Sequence, residues 1–277
     1  MSTRRLISAA LLFCWVNAVA KEPAGLSGRS DTYFETAVAV LHKEPELLEK
    51  DGRKYRILIQ DIETEKIEPK TRDGNASGFF LFHKDQYYFA TAQHVTRILR
   101  PSSRLGFVNP KGESRQFVLG KLVGKSEHLV WRHHDQTDVS LLKLHLSGRG
   151  VDEVADIAIS SDELYLETPP RTSKLVVAGF PGGLGTRGGE ISPITAVVHL
   201  ASKEIRLAAK LEGVQVENAY LVNPPAGKGY SGAPIFYTDP EGKVKCTGML
   251  NGAWSDPTGG KFSISTPARY LLDLVDK

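Results

Sequence analysis

The chain has 277 residues, 41% of them apolar and 24% charged, with a formal net charge of +3. That length is ample for one large domain or two small ones with real cores, and the composition excludes disordered, collagenous and polytopic membrane chains. So small a net charge excludes a nucleic-acid binder that works by bulk positive charge.

At the start of the chain, Arg4 and Arg5 precede an apolar run from Leu6 to Val16, and Ala18-Val19-Ala20 sets small residues before a cut. This is the pattern of an export signal over 1–20, with Lys21 as the first mature residue. The apolar run is shorter than the roughly 20 residues that span a bilayer, so no stable membrane insertion is expected once the signal is removed. Without it the charge count is 33 − 32 = +1 and Cys246 is the only cysteine, which rules out an intramolecular disulfide. An exported, bridge-free protein of this size fits a bacterial periplasm or cell exterior. Residues 21–34 are expected to form a loose mature N-terminus.

Beyond them come short β-type runs punctuated by Gly, Pro, Asn and Asp, so the fold is expected to be mostly β. Strands are predicted at 55–60, 78–83, 87–91, 139–145, 174–179, 196–200, 205–211, 233–237 and 244–250. The stretch 146–173, marked by Gly148, Gly150, Pro169 and Pro170, is the candidate link between two halves. Thr266 and Pro267 read as the N-cap and first residue of a closing helix with Tyr270, Leu271, Leu272, Leu274 and Val275 on its apolar face.

Three places carry chemistry. In Ala90-Thr91-Ala92-Gln93-His94-Val95 a histidine follows a strand end. In Thr137-Asp138-Val139-Ser140-Leu141 an aspartate opens an apolar strand. In Gly227-Lys228-Gly229-Tyr230-Ser231-Gly232-Ala233-Pro234 a serine sits in a glycine-rich turn, where backbone N–H groups can approach a substrate. A hydroxyl needs a neutral imidazole to take its proton, and that imidazole needs a carboxylate on its other nitrogen. His94, Asp138 and Ser231 supply the set. Asp135, the rival carboxylate, lies among polar residues and opens no strand.

Gly-Tyr-Ser-Gly-Ala-Pro around Ser231, Thr-Ala-Gln-His-Val around His94 and the strand starting at Asp138 resemble the chymotrypsin-like serine peptidases. The order His, Asp, Ser at separations of 44 and 93 residues is similar to theirs. Asn75 to Phe80 and Val177 to Gly183 resemble the disulfide-free HtrA-type and glutamyl-endopeptidase branches, although the 46 residues after Ser231 are too few for a PDZ domain. Ala233 departs from the usual second glycine. Tyr230 departs from the aspartate that pairs with a new N-terminus in zymogen-type members. The resemblance implies an all-β fold of two antiparallel barrels, over 35–150 and 174–277, joined by a linker at 151–173. It also implies a serine endopeptidase with catalytic His94, Asp138 and Ser231 and an oxyanion hole at Gly229 and Ser231. Pro225, Lys228, Leu250, Asn251 and Gly252 are the implied substrate pocket. Neither expected wall of that pocket, Asn223 to Lys228 and Leu250 to Ala253, carries a carboxylate, so no strong preference for Lys or Arg before the cut is expected.

The expected partner is a peptide or protein substrate, with no nucleic acid, cofactor or metal. The alternative is a catalytically silent relative that binds peptides or a partner protein in the same cleft. A competing motif, Gly183-Leu184-Gly185-Thr186-Arg187-Gly188 after a strand, matches a dinucleotide-binding turn. That turn requires a helix next, whereas Ile191 to Val198 favours a strand.

Overall fold

A computed structural model of the chain describes residues 21–23, 25–26, 33–45, 47–56, 58–60, 67–69, 71–124, 128–186 and 189–276. The expected export signal lies outside the described residues. The chain runs from β1 (Ala37–Pro45) through two small hairpins, β2 (Leu47–Lys50) with β3 (Arg53–Arg56) and β4 (Leu58–Gln60) with β5 (Ile67–Pro69). It continues with β6 (Thr71–His83), β7 (Gln86–Thr91), the short helix α1 (Gln93–Thr96), β8 (Arg104–Val108) and β9 (Ser114–Val118). Then follow α2 (Leu119–Leu122), β10 (Trp131–His133) and β11 (Ser140–Lys143).

These strands pair antiparallel in the order β10-β11-β7-β6-β1-β8-β9. Consecutive residues Phe79, Phe80 and Leu81 of β6 are all fully buried, so both faces of this central strand are covered, and it reads as an unbroken apolar run. Phe80 packs edge-on against Phe89 and Phe107, with ring centroids 5.8 and 5.7 Å away.

The expected linker 151–173 carries more structure than a link. Helix α3 (Arg149–Ala155) begins it, and β12 (Ile159–Ser160) pairs parallel with β6. The described part of the expected loose N-terminus is held down against it. Lys21 Nζ pairs with Asp156 at 2.9 Å, and Leu26 is fully buried with its N–H donating to the Glu163 carboxylate.

The second half contains β13 (Lys174–Gly179), β14 (Ile194–Leu200), β15 (Ile205–Leu211), β16 (Val214–Asn223), β17 (Pro234–Thr238), β18 (Val244–Ser255) and β19 (Lys261–Pro267), then α4 (Arg269–Val275). Its order is β14-β13-β17-β18-β19-β16-β15, and a further pairing of β14 with β16 through His199–Asn223 and Leu200–Val222 closes it into a barrel. The fold is thus all-β with two antiparallel units and a short C-terminal helix. The glycine-rich segment after β13 leads into β14, a strand, where a dinucleotide-binding turn needs a helix.

The closing helix starts later than the sequence suggests. Its N-cap is Ala268, while Thr266 and Pro267 finish β19, where Pro267 stands opposite Gly248. Tyr270, Leu271, Leu274 and Val275 are buried as expected, but in the core of the first sheet. The Arg132 guanidinium of β10 donates to the Leu274 carbonyl at 3.0 Å, and the Tyr270 ring meets His134 edge-on at 4.9 Å.

Candidate active site

Strand β7 ends at Thr91 and α1 begins two residues later, which sets His94 at the rim between the two sheets. Asp138 lies in the connection from β10 to β11 and is fully buried. Its carboxylate accepts twice from one residue: Oδ1 from the His94 backbone N–H at 2.9 Å and Oδ2 from Nδ1 at 2.7 Å. An ionised carboxylate only accepts, so Nδ1 carries the proton and Nε2 of the neutral ring keeps its lone pair. Burial disfavours the imidazolium, but the Asp138 hydrogen bond and charge, with the charge of Glu212, outweigh burial and the opposing charge of Arg97. The net effect raises the His94 pKa above its ordinary value. Asp135 lies elsewhere, lining a surface cavity with Asp273 and Asp276.

Ser231 occupies the turn between β16 and β17, where backbone geometry restricts the sequence. Gly232 has φ of +90°, and a Cβ there would stand 2.0 Å from the Ser77 carbonyl oxygen. Gly229 has φ of +103°, with Gly182 N and Phe180 O each 2.7 Å from where a Cβ would be. Among the described residues, neither the Gly229 nor the Ser231 N–H donates to a protein acceptor. The Ser231 hydroxyl donates to the Asn251 carbonyl at 2.8 Å. Ala233, the departure from the glycine of the resembled family, is fully buried, 3.0 Å from the site a Gly179 Cβ would take. The methyl group absent from β13 is supplied from the serine turn. Tyr230 is buried in the second core, and its hydroxyl donates to the Ile194 carbonyl at 3.2 Å.

Ser77 of β6 stitches the first sheet to this turn. Its hydroxyl donates to the Gly229 carbonyl at 2.8 Å and accepts from Phe180 N–H at 3.0 Å, and its own N–H donates to the Ser231 carbonyl at 2.9 Å. Behind Asp138, the Asn251 amide donates to the Asp138 carbonyl. Thr266 Oγ1 donates to Asn251 Oδ1 at 2.8 Å and lies 2.8 Å from the Thr137 hydroxyl.

His94 and Ser231 line one cavity of about 240 Å³ together with Leu211, Glu212, Ala226, Gly227, Lys228, Leu250, Asn251, Gly252 and Ala253. Four of the five expected pocket residues are therefore brought together. Pro225 is not among them: it is exposed, while Ala226, whose N–H donates to Ser263 Oγ at 2.8 Å, lines the cavity with Gly227 and Lys228. Leu211 and Glu212 were missed. The signal was the end of the predicted strand 205–211 followed by Glu212-Gly213, a turn dipeptide weaker than Asn-Gly or Asp-Gly, and nothing local says that the tip reaches His94.

No protein-family profile and no curated protein matches the sequence. Solved structures do match. The MamO protease domain from Magnetospirillum magneticum in its apo form is 15% identical, with a TM-score of 0.53 over 88% of this chain and 97% of that one. The scabies mite inactivated protease paralogue S-I1 is 14% identical, with a TM-score of 0.51 over 92% and 96%. The chain has the chymotrypsin-like serine protease fold. At these identities the likeness is one of fold, and any chemistry must rest on the geometry of His94, Asp138 and Ser231.

Proposed function

We propose that the protein is an exported serine endopeptidase that cuts peptide or protein substrates through an acyl-enzyme. The observation that carries this reading is the buried Asp138 carboxylate holding His94 by two bonds while His94 and Ser231 line one cavity. In the reaction, Ser231 Oγ leaves the Asn251 carbonyl, gives its proton to His94 Nε2 and attacks the scissile carbonyl carbon. The oxyanion forms against the two uncommitted N–H groups of Gly229 and Ser231. His94 returns the proton to the leaving amine, and then activates the water that hydrolyses the ester.

One observation favours the second reading, a silent peptide-binding domain: the serine hydroxyl is bonded to Asn251 and not to His94. Catalytic hydrogen bonds often form only with substrate bound, which keeps the peptidase reading ahead. Labelling with a fluorophosphonate separates the two. The wild type should label and Ser231→Ala should not; a folded wild type that takes no label overturns the peptidase reading.

A further inference from the structure

The β15–β16 hairpin pairs Leu211 with Val214 across a two-residue loop, Glu212-Gly213. Both loop residues have positive φ, +44° and +87°, the tight mirror-image turn that suits the twist of paired strands. The Arg97 guanidinium donates to the Glu212 carbonyl at 2.7 Å and to the Gly213 carbonyl at 3.3 Å. Arg97 is the C-cap of α1, the helix that carries His94, so the tip is tied across the cleft to the histidine's own element. The contact is close: a Cβ on Gly213 would stand 2.6 Å from Arg97 Nη1.

Arg97 spends those donors on backbone carbonyls. Among the described residues the Glu212 carboxylate has neither an ion-pair nor a hydrogen-bond partner. It is nevertheless a wall of the cavity that holds His94 and Ser231. We propose that Glu212 is a specificity-determining residue that receives a lysine or arginine side chain of the substrate close to the scissile bond. The proposal deepens the peptidase reading and rests on it. The substrate class it names is a basic peptide, and Glu212 supplies the carboxylate that the expected pocket walls lack.

Lys228 also lines the cavity, and an ammonium there argues for an acidic substrate. Two observations favour Glu212. Both backbones are pinned, Glu212 by Arg97 and Lys228 by the Gly182 N–H at 2.7 Å, but the Glu212 carboxylate ends a shorter chain than the Lys228 ammonium and strays less from its anchor. The Glu212 charge also reaches the reaction centre, since it helps to hold the His94 pKa up.

The test uses peptides identical except at one position, filled by Lys, Met or Glu, and scanned over four residues before the cut and two after it. For each enzyme the ratio of kcat/KM for the Lys peptide to that for the Met peptide is read. One charge-assisted contact corresponds to a ratio on the order of ten in the wild type at one position. In Glu212→Gln that ratio should fall to near one. In Glu212→Lys the Glu peptide should become the preferred one. A wild-type ratio near one at every position, or an unchanged ratio in Glu212→Gln, overturns the proposal. Fluorophosphonate labelling runs alongside: a labelled enzyme indifferent to Lys sinks Glu212 alone, and an unlabelled wild type sinks the peptidase reading with it.

Discussion

Two bonds from Asp138 fix both the tautomer and the aim of His94, and two predictions follow at the scale of single residues. Ser231→Ala should lower turnover by on the order of 10⁴ or more. Its stability should fall by no more than about 3 kcal/mol, since the carbonyl of fully buried Asn251 loses its hydroxyl donor; denaturant melts and peptide hydrolysis check both. The second concerns pH. Only neutral imidazole can take the serine proton, and the folded His94 pKa is raised, so the acid limb of kcat/KM should be centred above about 6.5. Glu212→Gln removes a charge that favours the cation and should move that limb to lower pH, while Arg97→Met removes an opposing charge and should move it higher. Profiles of the three enzymes decide it. The three residues of the proposed triad could be singled out in the sequence because each sits in its own local context: a strand end, a strand start, a glycine turn. Glu212 and Ser77 were not legible in their roles, because what places them at the site is packing between segments more than 100 residues apart.

At the scale of elements, strands with apolar runs and clear punctuation matched their predicted ranges, as β13 and β15 did. Strand β19 was missed for a physical reason. Lys-Phe-Ser-Ile-Ser-Thr-Pro buries Ser263, Ser265 and Thr266, polar residues that suggest a loop until the partners of Ser263 and Thr266 arrive from Ala226 and Asn251. Strand β16 carries Glu217 and Asn218 at mid-length, where pairing with β15 and a Glu217 N–H bond to the Gln136 carbonyl at 2.8 Å override their weak β-propensity. Helix α4 was foreseen, but its place was not, since an amphipathic stripe says that a face is buried without saying against what. Leu271 is fully buried beneath it in the first core. Leu271→Ala should cost about 2–5 kcal/mol, read from chemical denaturation.

At the scale of the whole molecule, the site exists only as a product of both sheets. His94 and Asp138 come from the first and Ser231 from the second, with Ser77 bonded across the seam. Ser77→Ala leaves the Gly229 carbonyl and the Phe180 N–H without their partner, and an orphaned buried polar group costs about 1–3 kcal/mol. That variant should unfold at lower denaturant and react more slowly with a fluorophosphonate, because the same bond positions the residue that offers the oxyanion its N–H. A tolerant Ser77→Ala, equal to wild type in both assays, would show that the turn holds its own shape. The placement of α4 has a further consequence, measured in time. The ribosome makes α4 after every strand of the structure, yet α4 caps the core of the sheet that is made first and packs on β11, the strand that Asp138 precedes. A growing chain therefore carries the first sheet uncapped until synthesis passes residue 275, after His94, Asp138 and Ser231 have all been joined into it. On the peptidase reading proposed above, the site is completed only by that late capping step.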